Sequence, residues 1–270
     1  MVTFPPCKIN LGLRILSKRP DGYHDIETCF YPVPWTDILE ILLADSFSFT
    51  CTGLALPGDA EENLCVKAYR LVQKDFSLPP IHMHLHKIIP SGAGLGGGSS
   101  DAAHTLLLLN DVFDLKLSVQ QLQRYASMLG SDCSFFITKH PMMGRGKGDL
   151  LSPVEVTLKD KYLVVIKPAI HVSTAEAYSR VKPAQQTTSL AEILKQDIST
   201  WKDLLVNDFE ESVFSIHPQI GEIKHELYKQ GALYACMSGS GSSVFGIFSN
   251  EVDLRSQFQG STYWSGKAIA

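Results

Sequence analysis

Residues 90 to 103 carry the strongest local signal in this 270-residue chain and read Pro90-Ser91-Gly92-Ala93-Gly94-Leu95-Gly96-Gly97-Gly98-Ser99-Ser100-Asp101-Ala102-Ala103. Five of the seven residues from 92 to 98 are glycine, so the backbone can approach a ligand closely and present successive N–H groups to it. An apolar helix is predicted over 102–109. The N-terminus of such a helix adds unpaired N–H donors and a partial positive charge. The segment therefore predicts a phosphate-binding loop.

The residues on either side of this glycine-rich segment distinguish between several known kinds of glycine loop. The pattern G-x-G-x-x-G at 92–97 also matches a dinucleotide site, but the strand before such a site is continuously apolar. Here the preceding strand, 81–89, alternates apolar residues with histidines. A Walker A loop needs Gly-Lys-Ser/Thr, and a protein kinase needs H-R-D and D-F-G segments; the sequence has none of these. A glycine turn without function is a weaker alternative, because a turn needs only one or two glycines.

The strand over 81–89 is predicted to be antiparallel and half-buried. His82, His84 and His86 share its polar face, because alternate side chains of a strand point the same way. An H-x-H pair on a strand can bind zinc, but no acidic or cysteine partner lies nearby in the sequence. The pattern favours a solvent-facing polar surface over a zinc site.

Composition and charge restrict the class of protein. Hydrophobic residues make up 44% of the chain and charged residues 19%, enough to bury a sizeable core. The formal net charge of −4 argues against a nucleic-acid partner. None of the six cysteines forms a C-x-x-C pair, and we find neither a signal peptide nor an apolar run of membrane-spanning length. We therefore expect a cytoplasmic protein with reduced thiols and no membrane partner.

The order of predicted elements favours an α+β protein. Strands are predicted over 8–16, 30–33, 37–43, 162–166, 233–237 and 244–248, and another is predicted to begin near Asp132. Helices are predicted over 63–72 and near 201–215 and 219–230, and a capping-box pattern at Ser118 and Gln121 predicts one more. We place a domain boundary near residue 152, giving domains 1–152 and 153–270.

The glycine-rich segment resembles the phosphate loop of the GHMP small-molecule kinases, named for galactokinase, homoserine, mevalonate and phosphomevalonate kinases. Further segments resemble motifs of that family and follow in the family's order. They are Pro6-Cys7-Lys8-Ile9-Asn10-Leu11, Asp21-Gly22-Tyr23-His24, Glu62-Asn63-Leu64, Leu129-Gly130-Ser131-Asp132-Cys133-Ser134-Phe135-Phe136, Gly146-Lys147-Gly148-Asp149 (Asp replacing the usual Glu) and Ser238-Gly239-Ser240-Gly241-Ser242.

The resemblance implies a two-domain α+β fold with the active site in the cleft between the domains. Residues 1–152 would form the ATP-binding and catalytic domain, and residues 153–270 the substrate-binding domain. ATP and Mg²⁺ are the implied cofactors. One of two adjacent serines, Ser99 or Ser100, would serve the magnesium, and which of them does so stays open. The implied nucleotide-binding residues are Asn63, Leu64, Lys87, Pro90, Ser91, Gly92, Ala93, Gly94, Leu95, Gly96, Gly97, Gly98, Ser99 and Ser100.

Within the family, the motifs are most similar to the kinases that phosphorylate the 2-hydroxyl of 4-diphosphocytidyl-2-C-methyl-D-erythritol, a step of non-mevalonate isoprenoid synthesis. That reaction needs a group to accept the hydroxyl proton and a cation to stabilise the oxygen. The resemblance implies that Asp132 and Lys8 are the catalytic pair. Lys8 and Asn10 are two residues apart on a strand and share a face.

A cytosine ring needs an aromatic partner and hydrogen bonds along its edge. Tyr23 can stack and His24 can donate and accept, so these two are the predicted specificity residues. The full set of implied substrate-binding residues is Asn10, Tyr23, His24, Thr174, Tyr178, Ser238 and Gly239. Tyr178 stands where the family often has Phe.

Two alternatives stay open. Another GHMP kinase, of the homoserine or mevalonate type, would leave the segment Asp21-Gly22-Tyr23-His24 without a role. A binding protein that has lost catalysis is disfavoured by the presence of both Lys8 and Asp132.

Overall fold

The computed structural model describes residues 1–56, 58–138, 140–184 and 188–269. The strands are β1 (Val2–Thr3), β2 (Pro6–Lys18), β3 (His24–Thr36), β4 (Ile38–Leu43), β5 (Ser48–Gly53), β6 (Ile81–Lys87), β7 (Met142–Arg145), β8 (Leu150–Pro153), β9 (Tyr162–Lys167), β10 (Tyr234–Met237), β11 (Val244–Phe248) and β12 (Thr262–Lys267). The α-helices are α1 (Leu64–Gln73), α2 (Gly97–Val112), α3 (Val119–Leu129), α4 (Thr174–Tyr178), α5 (Leu190–Leu194), α6 (Trp201–Leu204), α7 (Phe209–Ile216) and α8 (Pro218–Lys229). Short 3₁₀ helices occupy Ala60–Glu62, Cys133–Ile137 and Ile198–Thr200.

The chain divides into two compact units, and neither is one continuous stretch. The first consists of Met1–Cys7, Trp35–Ser91 and Gly96–Lys139, and the second of Lys8–Pro34, Gly92–Leu95 and His140–Ala270. The domains 1–152 and 153–270 expected from the sequence stay a prediction. Within the described ranges, no helix is long and apolar enough to cross a lipid bilayer.

The first unit contains a four-stranded sheet in the order β1-β4-β6-β5, and α1, α2 and α3 pack against one another beside it. Its strand β6 buries Ile81, Met83 and Leu85 on one face, as the alternation predicts. The expectation of purely antiparallel pairing is wrong: β6 is antiparallel to β4 but parallel to β5. A parallel neighbour requires a crossover connection, and α1 lies in it.

The polar face of β6 contacts hydroxyl groups of the neighbouring strand β5. His82 Nδ1 lies 2.8 Å from Ser48 Oγ. Thr52 Oγ1 lies 2.8 Å from His84 Nε2 and 2.9 Å from His86 Nδ1. Among the residues described, no three His, Cys, Asp or Glu side chains are grouped so as to hold a metal ion. The three histidines therefore belong to a hydrogen-bonded polar surface.

The second unit contains two four-stranded sheets, ordered β2-β3-β7-β8 and β10-β11-β9-β12. Its core joins residues of β2, such as Leu13 and Ile15, with residues of β9, β11, α7 and α8. The strand pair predicted over 233–237 and 244–248 is confirmed as the antiparallel β10 and β11. Glycine loop 238–242 connects them.

Two predicted elements differ from the structure. The strand predicted to begin near Asp132 is a 3₁₀ helix over Cys133–Ile137, and the backbone of Asp132 is itself helical. All five residues of this helix are buried, and a short, mostly apolar run does not distinguish a strand from a buried helix. The helix predicted near 201–215 is broken between α6 and α7. There Leu13 N–H donates to Val206 O and Asp208 N–H donates to Leu13 O, at 2.9 Å each, so the chain pairs with β2 instead of continuing the helix.

Candidate active site

The glycine-rich segment leads from β6 into α2, as predicted, but the helix predicted over 102–109 begins earlier, at Gly97. Glycine is an unfavourable helix residue, so the local sequence placed the start of the helix too late. Gly96 precedes the first residue of α2 and has a left-handed backbone, with φ of 68°. Gly96 has no side chain that could accept hydrogen bonds from the N–H groups in the first turn of α2, so these N–H groups can face a ligand. Amides at a helix N-terminus, together with the helix dipole, bind anions.

Gly94 is the glycine that the structure requires most strictly. Its φ is 74°, and a Cβ atom built on it would lie 2.0 Å from the carbonyl oxygen of Ser238. In the same unit, Ser238 Oγ donates to Gly94 O at 2.8 Å, and Ser243 N–H donates to Ala93 O at 3.2 Å. The first part of the phosphate loop therefore packs directly on the glycine loop 238–242.

Lys8 and Asn10 lie side by side at the start of β2, which confirms that they share a face. Lys8 is 3% exposed, and its ammonium donates to Asn10 Oδ1 at 2.7 Å and to Gly94 O at 3.1 Å. Asn10 Nδ2 donates to Thr28 Oγ1 at 2.9 Å. Asn10 N–H also donates to Ser238 Oγ at 3.3 Å. The ammonium of Lys8 is thus fixed beside both glycine loops.

Asn207 and Glu210 support the end of β10 and the glycine loop 238–242 through hydrogen bonds. Neither residue was predicted from the sequence. Asn207 Nδ2 donates to Met237 O at 2.7 Å and to Gly239 O at 2.8 Å. Glu210 Oε1 accepts from Met237 N–H at 2.8 Å, and its Oε2 pairs with Lys224 at 2.6 Å. The local sequence signals in this region are Pro218 and Gly231, which mark helix ends, and the glycine loop itself. None of these signals points to Asn207 or Glu210, so the two buried residues could not be predicted.

Asp132, the other predicted catalytic residue, is half-buried and precedes the 3₁₀ helix Cys133–Ile137. It belongs to the first unit, whereas Lys8 belongs to the second. Its pairing with Lys8 stays a prediction.

A cavity of about 580 Å³ opens in the first unit beside the start of α2, within the size range of small-molecule sites. Five of the predicted nucleotide-binding residues contribute to its wall, namely Asn63, Leu64, Lys87, Ser91 and Gly98. Strand β5 and the segment after it also line the cavity, with Cys51 and Leu54 among their residues. Asn63 also caps the N-terminus of α1, since its side chain accepts from Cys65 N–H at 2.9 Å.

Lys87 at the end of β6 is held by two buried carboxylates. Its ammonium contacts Asp37 and, at 2.8 Å, Asp101. Burial lowers the pKa of Lys87, but the carboxylates of Asp101 and Asp37 outweigh burial and raise it above its ordinary value. Burial raises the pKa of Asp101 to about 7, with Lys87 opposing the rise and the like charge of Asp37 adding to it. This cluster could not be predicted from local sequence patterns, because Asp37 and Asp101 lie 50 and 14 positions from Lys87 along the chain.

The predicted specificity residues lie in the second unit. His24 and Tyr178 stack with ring centroids 4.5 Å apart and planes 20° apart. Tyr178 also contacts Phe209 edge-on at 4.7 Å. Tyr23 is 60% exposed, with the Lys147 ammonium 4.8 Å from its ring centroid. The structure thus brings His24 and Tyr178 together and leaves the Tyr23 ring outside their stack.

Two stretches of the chain match models of one protein family. Residues 63–142 match the family described as GHMP kinases N terminal domain, and residues 189–259 match GHMP kinases C terminal. The chain belongs to the GHMP kinases. The resemblance stated from the motifs is confirmed. GHMP kinases use ATP as the phosphate donor, so the 580 Å³ cavity and the loop 90–100 are the candidate nucleotide site of this GHMP kinase.

Close relatives of this GHMP kinase carry one name. The chain is 55% identical over 252 residues, 93% of each chain, to the 4-diphosphocytidyl-2-C-methyl-D-erythritol kinase of Cytophaga hutchinsonii. It is 54% identical, over 93% of each chain, to the kinase of that name from Bacteroides fragilis. A crystal structure of 4-(cytidine 5'-diphospho)-2C-methyl-D-erythritol kinase matches with a TM-score of 0.84 and 30% identity over 98% of each chain. A homoserine kinase structure from Cytophaga hutchinsonii matches at a TM-score of 0.69 and 18% identity, which shows the shared fold alone.

Proposed function

We propose that this GHMP kinase transfers the γ-phosphoryl group of ATP to the 2-hydroxyl of 4-diphosphocytidyl-2-C-methyl-D-erythritol, releasing ADP and the 2-phosphate. The reaction is a step of non-mevalonate isoprenoid synthesis. The observation that carries this proposal is the 55% identity, across 93% of both chains, to a relative named as that kinase. The cavity, the loop and the aromatic pair support the proposal, each within its own unit.

The adenosine part of the nucleotide lies in the first unit in this proposal. The cavity lined by Asn63 and Leu64 accepts the adenosine part, and the phosphates lie along residues 90–100, where glycine permits close approach of the backbone. Developing charge on the transferred group is stabilised by these fixed N–H dipoles.

Magnesium fits this site only together with ATP. Among the described residues no cluster of His, Cys, Asp or Glu could hold a metal ion without the nucleotide, and Mg²⁺ commonly binds through phosphates, waters and one or two protein oxygens. Ser99 is half-buried at the start of α2, whereas Ser100 is fully buried, so Ser99 is the better placed hydroxyl. Bound Mg²⁺ would neutralise charge on the phosphates.

The acceptor hydroxyl must lose a proton as the phosphoryl group arrives. Asp132 accepts that proton in this proposal, and the ammonium of Lys8 stabilises the negative charge on the oxygen. Asn10 and Gly94 hold the Lys8 ammonium through hydrogen bonds of 2.7 and 3.1 Å, so the side chain needs little reorganisation during the reaction. Ser238 and Gly239 bound the same region and position the polyol.

Residues of the second unit recognise the cytosine ring in this proposal. His24 supplies hydrogen bonds to the edge of the base, and Tyr178 supports the His24 ring from behind at 4.5 Å. The exposed ring of Tyr23 is available for stacking on the base. Thr174 begins α4, the helix that ends at Tyr178, and is exposed beside this surface. The domain limits 1–152 and 153–270 and the cytoplasmic location remain predictions.

A coupled assay of ADP release tests the substrate. The purified chain is compared on the cytidylyl methylerythritol, homoserine and mevalonate with ATP and Mg²⁺. We expect rapid turnover with the cytidylyl compound alone. Turnover of homoserine or mevalonate in its place would identify another GHMP kinase activity, and no ADP release with any acceptor would favour a binding protein without catalysis.

A further inference from the structure

Three charged residues of the first unit are almost completely buried together, and none of them has a catalytic role in the proposed reaction. Asp37 lies between β3 and β4, Lys87 ends β6 and Asp101 lies in the second turn of α2; their exposed fractions are 0%, 2% and 2%. We call these residues the buried triad. Lys87 and Asp101 also contribute to the wall of the 580 Å³ cavity.

The buried triad contacts both ends of the phosphate loop. Asp37 Oδ1 accepts from the N–H groups of Ile88 and Ile89, at 2.5 and 2.8 Å, immediately before the loop begins at Pro90. Asp101 lies five residues beyond Gly96, on the helix that follows the loop. The Lys87 ammonium bridges the two carboxylates and therefore joins the strand before the loop to the helix after it.

The start of α2 also packs on the triad. A Cβ atom at Gly97 would lie 3.3 Å from Lys87 Nζ and 3.0 Å from the side chain of Ile89. The first residue of the helix therefore lies against the ammonium. A change in the position of the ammonium would move the N–H groups that are offered to the phosphates.

We propose that Asp37, Lys87 and Asp101 are positioning residues for ATP: they fix the two ends of the phosphate loop at the separation that nucleotide binding requires. The inference rests on the proposed ATP-dependent function but not on the identity of the acceptor. Since both ends of the loop belong to one unit, the triad acts entirely within that unit.

Calorimetry at a single pH with a non-hydrolysable ATP analogue and Mg²⁺ measures nucleotide binding by the wild type and by variants of the triad.

The positioning role is tested by removing the Lys87 ammonium, which joins the carboxylates of Asp37 and Asp101. Lys87→Met with Asp101→Asn removes the ammonium and one carboxylate together, which avoids leaving two unpaired charges. We expect the folded double variant to bind the analogue at least about tenfold more weakly. Asp101→Asn alone should lose much less affinity, because the Asn oxygen can still accept from the Lys87 ammonium. A folded double variant with unchanged affinity would disprove the role.

Arg14→Met is the matched control. Arg14 is a buried cation of the second unit, 3.7 Å from Glu27, and it contributes nothing to the nucleotide cavity. Its loss should lower the melting temperature and leave analogue binding unchanged. An equal loss of affinity in Arg14→Met would assign the effect to general destabilisation and refute a specific role of the triad. A wild type that does not bind the analogue contradicts the proposed function itself.

Discussion

Asp132 is the side chain on which the proposed proton transfer depends. Asp132→Asn keeps the shape and removes the proton acceptor, so we expect kcat to fall roughly 10²–10⁴-fold, the usual contribution of a general base. Binding of the ATP analogue should be unchanged, because Asp132 does not line the nucleotide cavity. Steady-state kinetics and calorimetry together measure both quantities.

Phosphoryl transfer can be largely dissociative, and a loss near the lower limit would mean that Asp132 orients the hydroxyl more than it deprotonates it. Near-full turnover in the Asn variant would remove Asp132 from the reaction.

His24 tests recognition of the base separately from catalysis. His24→Ala removes the ring that stacks on Tyr178 and leaves the edge of the bound cytosine without a partner, at a cost of about 1–3 kcal/mol. We expect the loss mainly in KM for the cytidylyl substrate, with KM for ATP preserved. Some decrease in kcat is compatible with this role, because binding energy also positions the hydroxyl.

A truncated acceptor supplies the control for His24. Methylerythritol phosphate without the cytidine should be a poor substrate of the wild type, and His24→Ala should change its turnover little. If the variant impaired both acceptors equally, His24 would not be the residue that recognises the base.

Individual side chains differ in how well the sequence predicted their surroundings. Lys8 and Asn10 are two apart on one strand, and strand geometry alone placed them on one face. The partners of Lys87 could not be found this way, because the fold brings Asp37 and Asp101 to it from two other elements. Asn207 was missed for the same reason: its hydrogen bonds reach Met237 and Gly239, about 30 residues away.

The phosphate loop contains glycines with different requirements, and two of them form a matched pair. Gly94 has positive φ and lies against the Ser238 carbonyl, so Gly94→Ala must shift the backbone; the dihedral strain alone is roughly 1–2 kcal/mol. Gly98 has helical φ, and a Cβ there would meet only Leu64 Cδ1, at 3.9 Å. We expect Gly94→Ala to lower kcat/KM for ATP at least about tenfold.

Gly98→Ala should stay folded and change ATP kinetics much less, since an added methyl group at an ordinary contact distance disturbs only the cavity wall. Thermal unfolding shows whether each variant is folded before kinetics are compared. Equal kinetics of Gly94→Ala and the wild type would mean that the packing of this loop on residues 238–242 is unimportant for ATP.

Whole elements were predicted where a pattern repeats and missed where it does not. The alternation over Ile81–Lys87 gave β6 and its buried face correctly. The apolar run after Asp132 has no period and proved to be a 3₁₀ helix. Residues 205–208 interrupt a predicted helix because they pair with β2, a strand almost 200 residues earlier, and no local signal reports such a partner.

For the molecule as a whole, the order of motifs along the chain predicted the family but not the compact units. Gly92–Leu95 group with the C-terminal part of the chain, whereas Gly96 and α2 group with the first unit. Sequence patterns are identified along the chain, so they lead to a single boundary between two continuous domains, here near residue 152. Units built from three separate stretches depend on long-range contacts that composition does not reveal.

The distribution of thiols over the molecule offers a direct chemical reporter of the nucleotide site. All six cysteines lie in the described ranges and none is in a disulfide; five are buried, and Cys51 is exposed in the cavity wall. Partial burial raises the pKa of Cys51, so its thiolate fraction and its alkylation rate should increase as the pH rises above neutral.

A maleimide reagent should therefore label one site per folded chain, and mass spectrometry should locate it at Cys51. An ATP analogue should slow the labelling, and Cys51→Ser should abolish it. Labelling that is equally fast with and without the analogue would show that the nucleotide leaves Cys51 uncovered. If protection is found, an electrophile attached to an adenosine-like compound would make this thiol the anchor for an irreversible inhibitor.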